Sequence, residues 1–418
     1  MNDLETTLRQ TLGHAAEQAP HAPATLAVHL EGRHRRGRQR AQAMGAAAAV
    51  VVVAAGTAFV LRGGPEAAGP ATSVGLPTTV ASAATTSEAT LAEDEEKVLP
   101  RPPAIDQVWP AAVRKIPAKL PDGRAYRPEL FLDDHTLLIE TSSSFEKTDG
   151  IYAYDLGTGE VRKIADVPTP KGTVLFASDF TVGDGQVVWW TALKGGTAQL
   201  WSAPVTGGES KIVASHQAQV PTEERDNDAA LDRLAIGNGK IMFSFRSGGV
   251  FTVPLGGGTV EPVPGAEKFH VLSWPWVGSG GEYGPVEGAR FDEILNVETG
   301  ETNTAVTHPG ERNVTCDTQI CSGEREEGKP FIRSRDGSQQ RDLPGTSGPV
   351  PPPTGGRFFT TATRDGIVLH DLTTGTSADL GIRPDKKGSM SLPMPEADGR
   401  LLGYQLGDQY VIVDLSKL

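Results

Sequence analysis

The chain carries two cysteines, and their spacing is the first that could do chemistry. Cys316 and Cys321 flank an Asp317-Thr318 turn, so their side chains can meet across a hairpin. In an oxidising compartment they are expected to form a disulfide closing a small loop. A redox-sensing or metal-binding pair is the competing reading, with no histidine or second cysteine pair nearby in sequence to support it. Two thiols exclude a disulfide-rich scaffold, a four-thiolate zinc site and a thiolate-held iron-sulfur cluster.

Glu223, Glu224, Asp226, Asp228 and Asp232 could in principle hold calcium, but the Asp-x-Asp-x-Asp-Gly spacing of a calcium loop is missing. They read as a solvated surface loop. His135, His216, His270, His308 and His370 are scattered, without ligand spacing. The chain has no Gly-x-Ser-x-Gly elbow, His-Glu-x-x-His, phosphate-binding loop or dinucleotide fingerprint. The expectation is therefore a non-enzyme without a cofactor. The competing reading is a metal-dependent envelope enzyme, lactonase- or lyase-like. Trp189, Trp190, Trp201, Trp274 and Trp276 could stack on a ligand, yet each falls on or beside an expected strand, where packing is its role.

The 418 residues carry 39 Lys+Arg against 52 Asp+Glu, a net charge of −13, which disfavours a nucleic-acid partner. Charge is unevenly placed. Arg33, Arg35, Arg36, Arg38 and Arg40 precede an uncharged apolar stretch, 43–61, which as a helix would reach about 28 Å, close to the thickness of a bilayer core. Arg62 is the only basic residue that follows before the acidic run Glu93-Asp94-Glu95-Glu96. The asymmetry predicts a single-pass protein of the cell membrane, N-terminus in the cytoplasm, with the arginines as topology determinants. A cleaved signal competes with this reading, but the polar lead is long for one. Residues 1–42 form the basic cytosolic tail. Leu4, Leu8 and Leu12 make a helical stripe that could bind a partner. Residues 62–105, rich in Gly, Pro, Ala and Thr, read as a disordered linker, leaving 106–418 as an extracytoplasmic domain.

That domain is repetitive. Tyr154-Asp155-Leu156-Gly157-Thr158-Gly159-Glu160 has echoes ending in Gly208, Gly258, Gly300 and Gly375, and upstream of each a tight turn such as Asp184-Gly185, Asn238-Gly239 or Asp398-Gly399 feeds an apolar strand. Seven units follow one another at the period of a β-propeller blade. The last unit ends after its third strand, and Ala112-Val-Arg-Lys-Ile-Pro117 matches the missing fourth. The fold expected is all-β: a seven-bladed β-propeller closed by an N-terminal strand, preceded by one transmembrane helix and a disordered linker.

The strand-to-Asp-Leu-x-Thr-Gly-Glu signature resembles the extracytoplasmic propellers grouped as TolB-like or WD40-like, over about three quarters of the chain, although the Gly-His and Trp-Asp pairs of true WD40 blades are absent. The layout of tail, anchor, linker and propeller also looks like membrane proteins of actinobacteria, some of which act as anti-sigma regulators; their His-x-x-x-Cys-x-x-Cys zinc motif is missing here. The resemblance implies a module that binds an extracytoplasmic protein, peptide or glycan at one mouth of the ring, with a cytosolic regulator such as a sigma factor as the partner of a relay through the tail. A passive envelope scaffold is the bland alternative.

Overall fold

A computed structural model of the protein describes residues 101–418 apart from 145–146, 219–229, 281–288, 344–351, 364, 387–388, 391–392 and 394–398. The expected transmembrane stretch 43–61, the stripe Leu4, Leu8 and Leu12, the arginines 33–40 and the linker up to residue 100 lie outside the described residues. Among the described residues no helix is long and apolar enough to cross a membrane.

Strands dominate. Helix α1 (Ile105–Val108) is a single turn and leads to β1 (Val113–Pro117). Blade 1 comprises β2 (Tyr126–Phe131), β3 (Thr136–Ser144), β4 (Lys147–Asp155) and β5 (Val161–Asp166). Blade 2 comprises β6 (Thr173–Gly183), β7 (Gln186–Leu193), β8 (Thr197–Pro204) and β9 (Lys211–Gln217). In blade 3 the strands are β10 (Leu231–Gly237), β11 (Lys240–Phe245), β12 (Val250–Pro254) and β13 (Glu261–Pro262). Blade 4 holds β14 (Phe269–Ser273), β15 (Trp276–Ser279), β16 (Glu293–Asn296) and β17 (Thr302–Thr304). Blade 5 holds β18 (Arg312–Cys316), β19 (Ile320–Glu324), β20 (Pro330–Ser334) and β21 (Arg341–Asp342). Next come β22 (Phe358–Thr363), β23 (Gly366–Asp371) and β24 (Ser377–Asp379) of blade 6, then β25 (Leu401–Leu406) and β26 (Gln409–Asp414) of blade 7.

These strands make seven antiparallel sheets, six of them simple meanders and the last completed by β1, and thus the seven-bladed propeller that the repeats predict. Blades 6 and 7 show three strands each among the described residues; the stretches just before β22 and β25 fall largely outside them. The ring closes as expected. β1 pairs antiparallel with β26, Val113 opposite Val413 through to Pro117 opposite Gln409, so the first strand of the domain is the outer strand of its last blade and covers an otherwise open edge. The domain's contacts begin a few residues before the expected boundary: Asp379 donates its N–H to Pro103 O at 2.9 Å, and Ile105 is buried.

Both faces of a central strand are buried, which explains the continuous apolar runs. On β7, Val187 and Trp189 pack toward blade 1, whereas Val188 and Trp190 pack toward blade 3. Successive side chains point to opposite faces of a strand. The tryptophans thus pack between blades, Trp189 stacked on Trp201 with ring centroids 6.4 Å apart.

The Asp-Leu-x-Thr-Gly signature is turn chemistry. Asp155 Oδ1 accepts from the N–H groups of Gly157 (2.8 Å) and Thr158 (2.7 Å), and Asn296 and Asp371 repeat the arrangement. Four residues after each acceptor, Gly159, Gly300 and Gly375 take φ of 74°, 74° and 71°, a conformation that costs glycine little.

Candidate functional site

Surface turns repeat from blade to blade, but the strands at the axis do not. The first strands of neighbouring blades meet there, β6 with β10 and β10 with β14. In blades 1 to 5 the pairing of the first strand with the second is interrupted: between Pro128 and Leu130, along Leu175–Ser178–Thr181, between Leu231 and Arg233, between Val271 and Ser273, and between Arg312 and Thr315. An extra residue in one strand re-aims its side chain and leaves it outside the ladder. The residues inside these interruptions include Glu129, Asp179, Asp232 and Asn313.

Each has a specific setting. In blade 1, Arg127 lies 2.5 Å from Glu129 Oε1 and 3.0 Å from Glu140 Oε1, and Thr148 donates to Glu140 Oε2 at 2.6 Å. Both glutamates are buried, so the shared guanidinium and hydroxyl offset the cost of withdrawing two carboxylates from water. Asp179, at φ 54°, accepts from the indole N–H of Trp190 at 3.0 Å in blade 2. In blade 5, Asn313, at φ 53°, donates to Glu324 Oε2 at 3.2 Å.

The fourth setting, that of Asp232, joins blades 3, 4 and 5. Asp232 Oδ2 on β10 is 3.1 Å from Nδ1 of His270 on β14 and 3.8 Å from Nη2 of Arg290. The Cδ2–Nε2 edge of the imidazole fills the space beside Gly280, where a Cβ would stand 2.2 Å from Nε2. Next to Arg290, Phe291 has φ 58°, a conformation costly for a bulky residue and held only where the surroundings over-determine it. They do: Arg290 N–H donates to Val314 O at 2.8 Å, Cys316 N–H to Arg290 O at 2.9 Å, and Phe291 N–H to Ser279 O at 2.8 Å. The buried Arg335 donates to Phe291 O at 2.8 Å and to Asp292 O at 2.6 Å.

Asp232 is thus not in a solvated loop, as the sequence suggested; its side chain is only 6% exposed. Its two neighbours in that expectation, Asp226 and Asp228, lie outside the described residues, as do Glu223 and Glu224. Among the described residues no three His, Cys, Asp or Glu side chains gather as a metal site requires. Two other histidines are packing residues. His216 lies among Phe243, Phe245 and Phe251, and His370 hydrogen-bonds Thr361 Oγ1 and Ser377 Oγ, both at 2.8 Å. Burial lowers the pKa of both, because it disfavours the charged imidazolium.

Cys316 and Cys321 form the expected disulfide, facing each other across β18 and β19 and almost wholly buried. The turn it spans is secured by Asp317, whose Oδ1 accepts from the N–H groups of Gln319 and Ile320 at 2.7 and 2.8 Å. At the ring seam, Arg400 reaches Asp134 at 2.7 Å and Asp414 at 2.8 Å and lies 4.4 Å over the Phe131 ring. A cavity of about 130 Å³ beside it is lined by Arg114, Phe131, Asp134, His135, Ile412 and Lys417, among others.

Sequence reasoning passed over Arg127, Glu129, Glu140, Asp179 and Arg290, and the pairing of Asp232 with His270. The available signal was a charged residue inside a short apolar strand, as in Tyr126-Arg-Pro-Glu-Leu-Phe131 or Leu231-Asp-Arg-Leu-Ala-Ile236. No protein-family model matches the chain, and no curated protein matches it. Solved structures similar to it include an oligogalacturonate lyase in complex with manganese, 12% identical, covering 73% of this chain and 98% of that one with a TM-score of 0.45. BamB from Moraxella catarrhalis is 11% identical over 72% of this chain and 91% of its own, TM-score 0.32. A protein described as TolB from Agrobacterium tumefaciens is 11% identical over 72% and 97%, TM-score 0.33.

Proposed function

We propose that the protein is a membrane-anchored extracytoplasmic β-propeller that recognises a protein, peptide or glycan at the axial end where its first strands are bulged. The observation that carries this reading is the interruption of five consecutive first strands, which turns Glu129, Asp179, Asp232 and Asn313 out of the ladders at the axis. Buried charge and left-handed backbone are costly in a sheet, and a fold retains them where polar groups must be aimed. The buried disulfide supports an oxidising compartment. Under this reading the module is a binder rather than an enzyme, and the tail stripe Leu4, Leu8 and Leu12 would engage a cytosolic regulator such as a sigma factor.

Crosslinking in intact cells, followed by purification and mass spectrometry, tests both parts. The full chain is compared with a form lacking residues 2–30 but keeping Arg33 to Arg40 and the anchor. Envelope partners captured by both forms, and lost when Glu129 and Asp232 are replaced by alanine, support recognition at the axis. A cytosolic regulator captured only by the full chain supports the relay; capture of none sinks the relay, and partners indifferent to the axial substitutions sink the site.

A further inference from the structure

We propose that the cavity between blades 7 and 1 is a guanidinium site whose occupant is Arg114 of the chain itself, so that residues 102–117 form a clasp with an open and a closed position across the seam of the ring. The clasp stands whatever the axis recognises.

Three outer strands carry an arginine at the same register position. Arg162 on β5 lies opposite Ala153, Arg341 on β21 opposite Ile332 and Arg114 on β1 opposite Ile412. Each stands across from the residue two before the end of the neighbouring strand, at Asp155, Ser334 or Asp414. Two of these arginines reach into the next blade. Arg162 donates to Val205 O at 3.2 Å and to Thr206 O at 2.8 Å in blade 2, and Arg341 donates to Leu372 O at 2.6 Å in blade 6. Their acceptors are also equivalent. Val205 donates its N–H to Gly185 O just before β7, and Leu372 to Arg357 O just before β22. Leu156 holds that place in blade 1, donating to His135 O just before β3 at 2.8 Å. The repeat therefore directs Arg114 to Leu156 O and Gly157 O.

Arg114 stops short of them. Its Nη1 donates to Val113 O at 2.9 Å and to Pro110 O and Ala111 O at 3.4 Å, all within its own segment. Among the described residues nothing donates to Leu156 O or Gly157 O. Arg114, Leu156 and Gly157 instead line one cavity of about 130 Å³. Two neighbouring carbonyls only accept, and a guanidinium offers several donors in a fixed fork. The charges around the cavity do not oppose its entry: Asp134 pairs with Arg400, and Asp414 with Arg400 and Lys417, two carboxylates against two cations.

The other catches of the clasp are closed. Asp379 N–H donates to Pro103 O at 2.9 Å, Ala104 pairs in parallel with Asp379, Ile105 packs in one cluster with Leu369 and Val411, and β1 pairs with β26. Residues 102–117 thus join blade 6 to blade 7, and Arg114 adds blade 1 when it enters the cavity. The closed position costs the side chain its rotamer freedom, whereas the open one leaves two carbonyls without a protein donor and the cavity unfilled. Opposing terms of that size keep both positions populated.

Hydrogen exchange of the full-length protein, read by mass spectrometry, tests the clasp. Arg114 is exposed and β1 pairs through its backbone, so Arg114→Ala should fold. It should accelerate exchange in residues 155–160 about tenfold, the scale of losing a bond from a charged donor. Arg114→Lys, a single donor group in place of the fork, should lie between the two. Arg162→Ala should act likewise on residues 204–209, where the equivalent arginine is already bonded. Gly157→Val should fill the cavity, since a Cβ there meets only Asp155 Oδ1, at 3.3 Å; in that background Arg114→Ala should leave residues 155–160 unchanged. Exchange in 155–160 that ignores Arg114→Ala, or an effect of Arg114→Ala that persists undiminished beside Gly157→Val, overturns the proposal. If Gly157→Val does not fold, Arg114→Ala alone decides: an arginine bonded only to its own segment would alter exchange in residues 110–117 and nowhere in blade 1.

Discussion

At Asp371 and Asp414 one carboxylate holds a turn and an arginine together. Asp371 accepts from the N–H of Thr373 at 2.9 Å and pairs with both ends of Arg357 at 2.9 and 2.7 Å; Asp414 pairs likewise with Arg400. Arg357 holds the Asp371 carboxyl well below the usual range, against some opposition from burial. At Asp414 burial pushes upward, and Arg400, Ser416 and Lys417 together outweigh it. A carboxyl whose folded pKa lies below its unfolded value of about 3.9 stabilises the fold at every pH above that value, and the contribution is lost as pH falls toward the folded pKa. The thermal midpoint should therefore drop on acidification below about pH 4. Asp371→Asn should cost about 2 kcal/mol at pH 7, the scale of a charge-assisted hydrogen bond, and much less at pH 2. Thermal melts of both proteins at the two pH values check this; a pH-independent difference would assign the cost to packing.

Elements owe their order to how blades seat on one another. A Cβ at Gly237, just before the Asn238-Gly239 turn, would stand 2.4 Å from the Trp274 ring of blade 4, and one at Gly183 would stand 2.8 Å from Ile236 of blade 3. Gly237→Ala should thus destabilise by about 1–3 kcal/mol, the usual cost of overpacking, read as a lower urea midpoint with an unchanged slope. Deleting residues 102–117 removes β1 from its pairing with β26; hydrogen exchange should then accelerate first in β26 and β25, and protection unchanged there would mean the ring does not depend on its closure. Strands, turns and closure were legible because their chemistry is local: a hairpin dipeptide, an Asx acceptor, a glycine four residues on. The axial centre was not, because Asp232 and His270 are 38 residues apart and meet only when blades 3 and 4 stand side by side. His270 looked like one of several scattered histidines, and Asp232 like the end of an acidic loop.

Across the whole molecule, the disulfide offers a test of the proposed extracytoplasmic location of the propeller. Cys316 and Cys321 are 1% and 0% exposed, so once formed the bond is shielded from exchange, and it should form only where the chain folds under oxidising conditions. Closing so short a loop contributes about 2 kcal/mol by the chain-entropy account, too little to decide whether the domain folds. Under the proposed topology the redox state would therefore record location without determining it. Five arginines cluster at 33–40 just before the apolar stretch 43–61 and one follows it before the acidic run, and that imbalance is the proposed cause of the proposed orientation. Protein from intact cells, denatured without reductant and exposed to a maleimide, should bind none, and after reduction should bind two per chain. Replacing Arg33, Arg35, Arg36, Arg38 and Arg40 with serine should leave a fraction of chains with the propeller on the cytoplasmic side, and that fraction should carry two reactive thiols before reduction. Free thiols in the unaltered protein would refute the extracytoplasmic location; full oxidation in both proteins would separate orientation from the arginines and place its cause elsewhere in the chain.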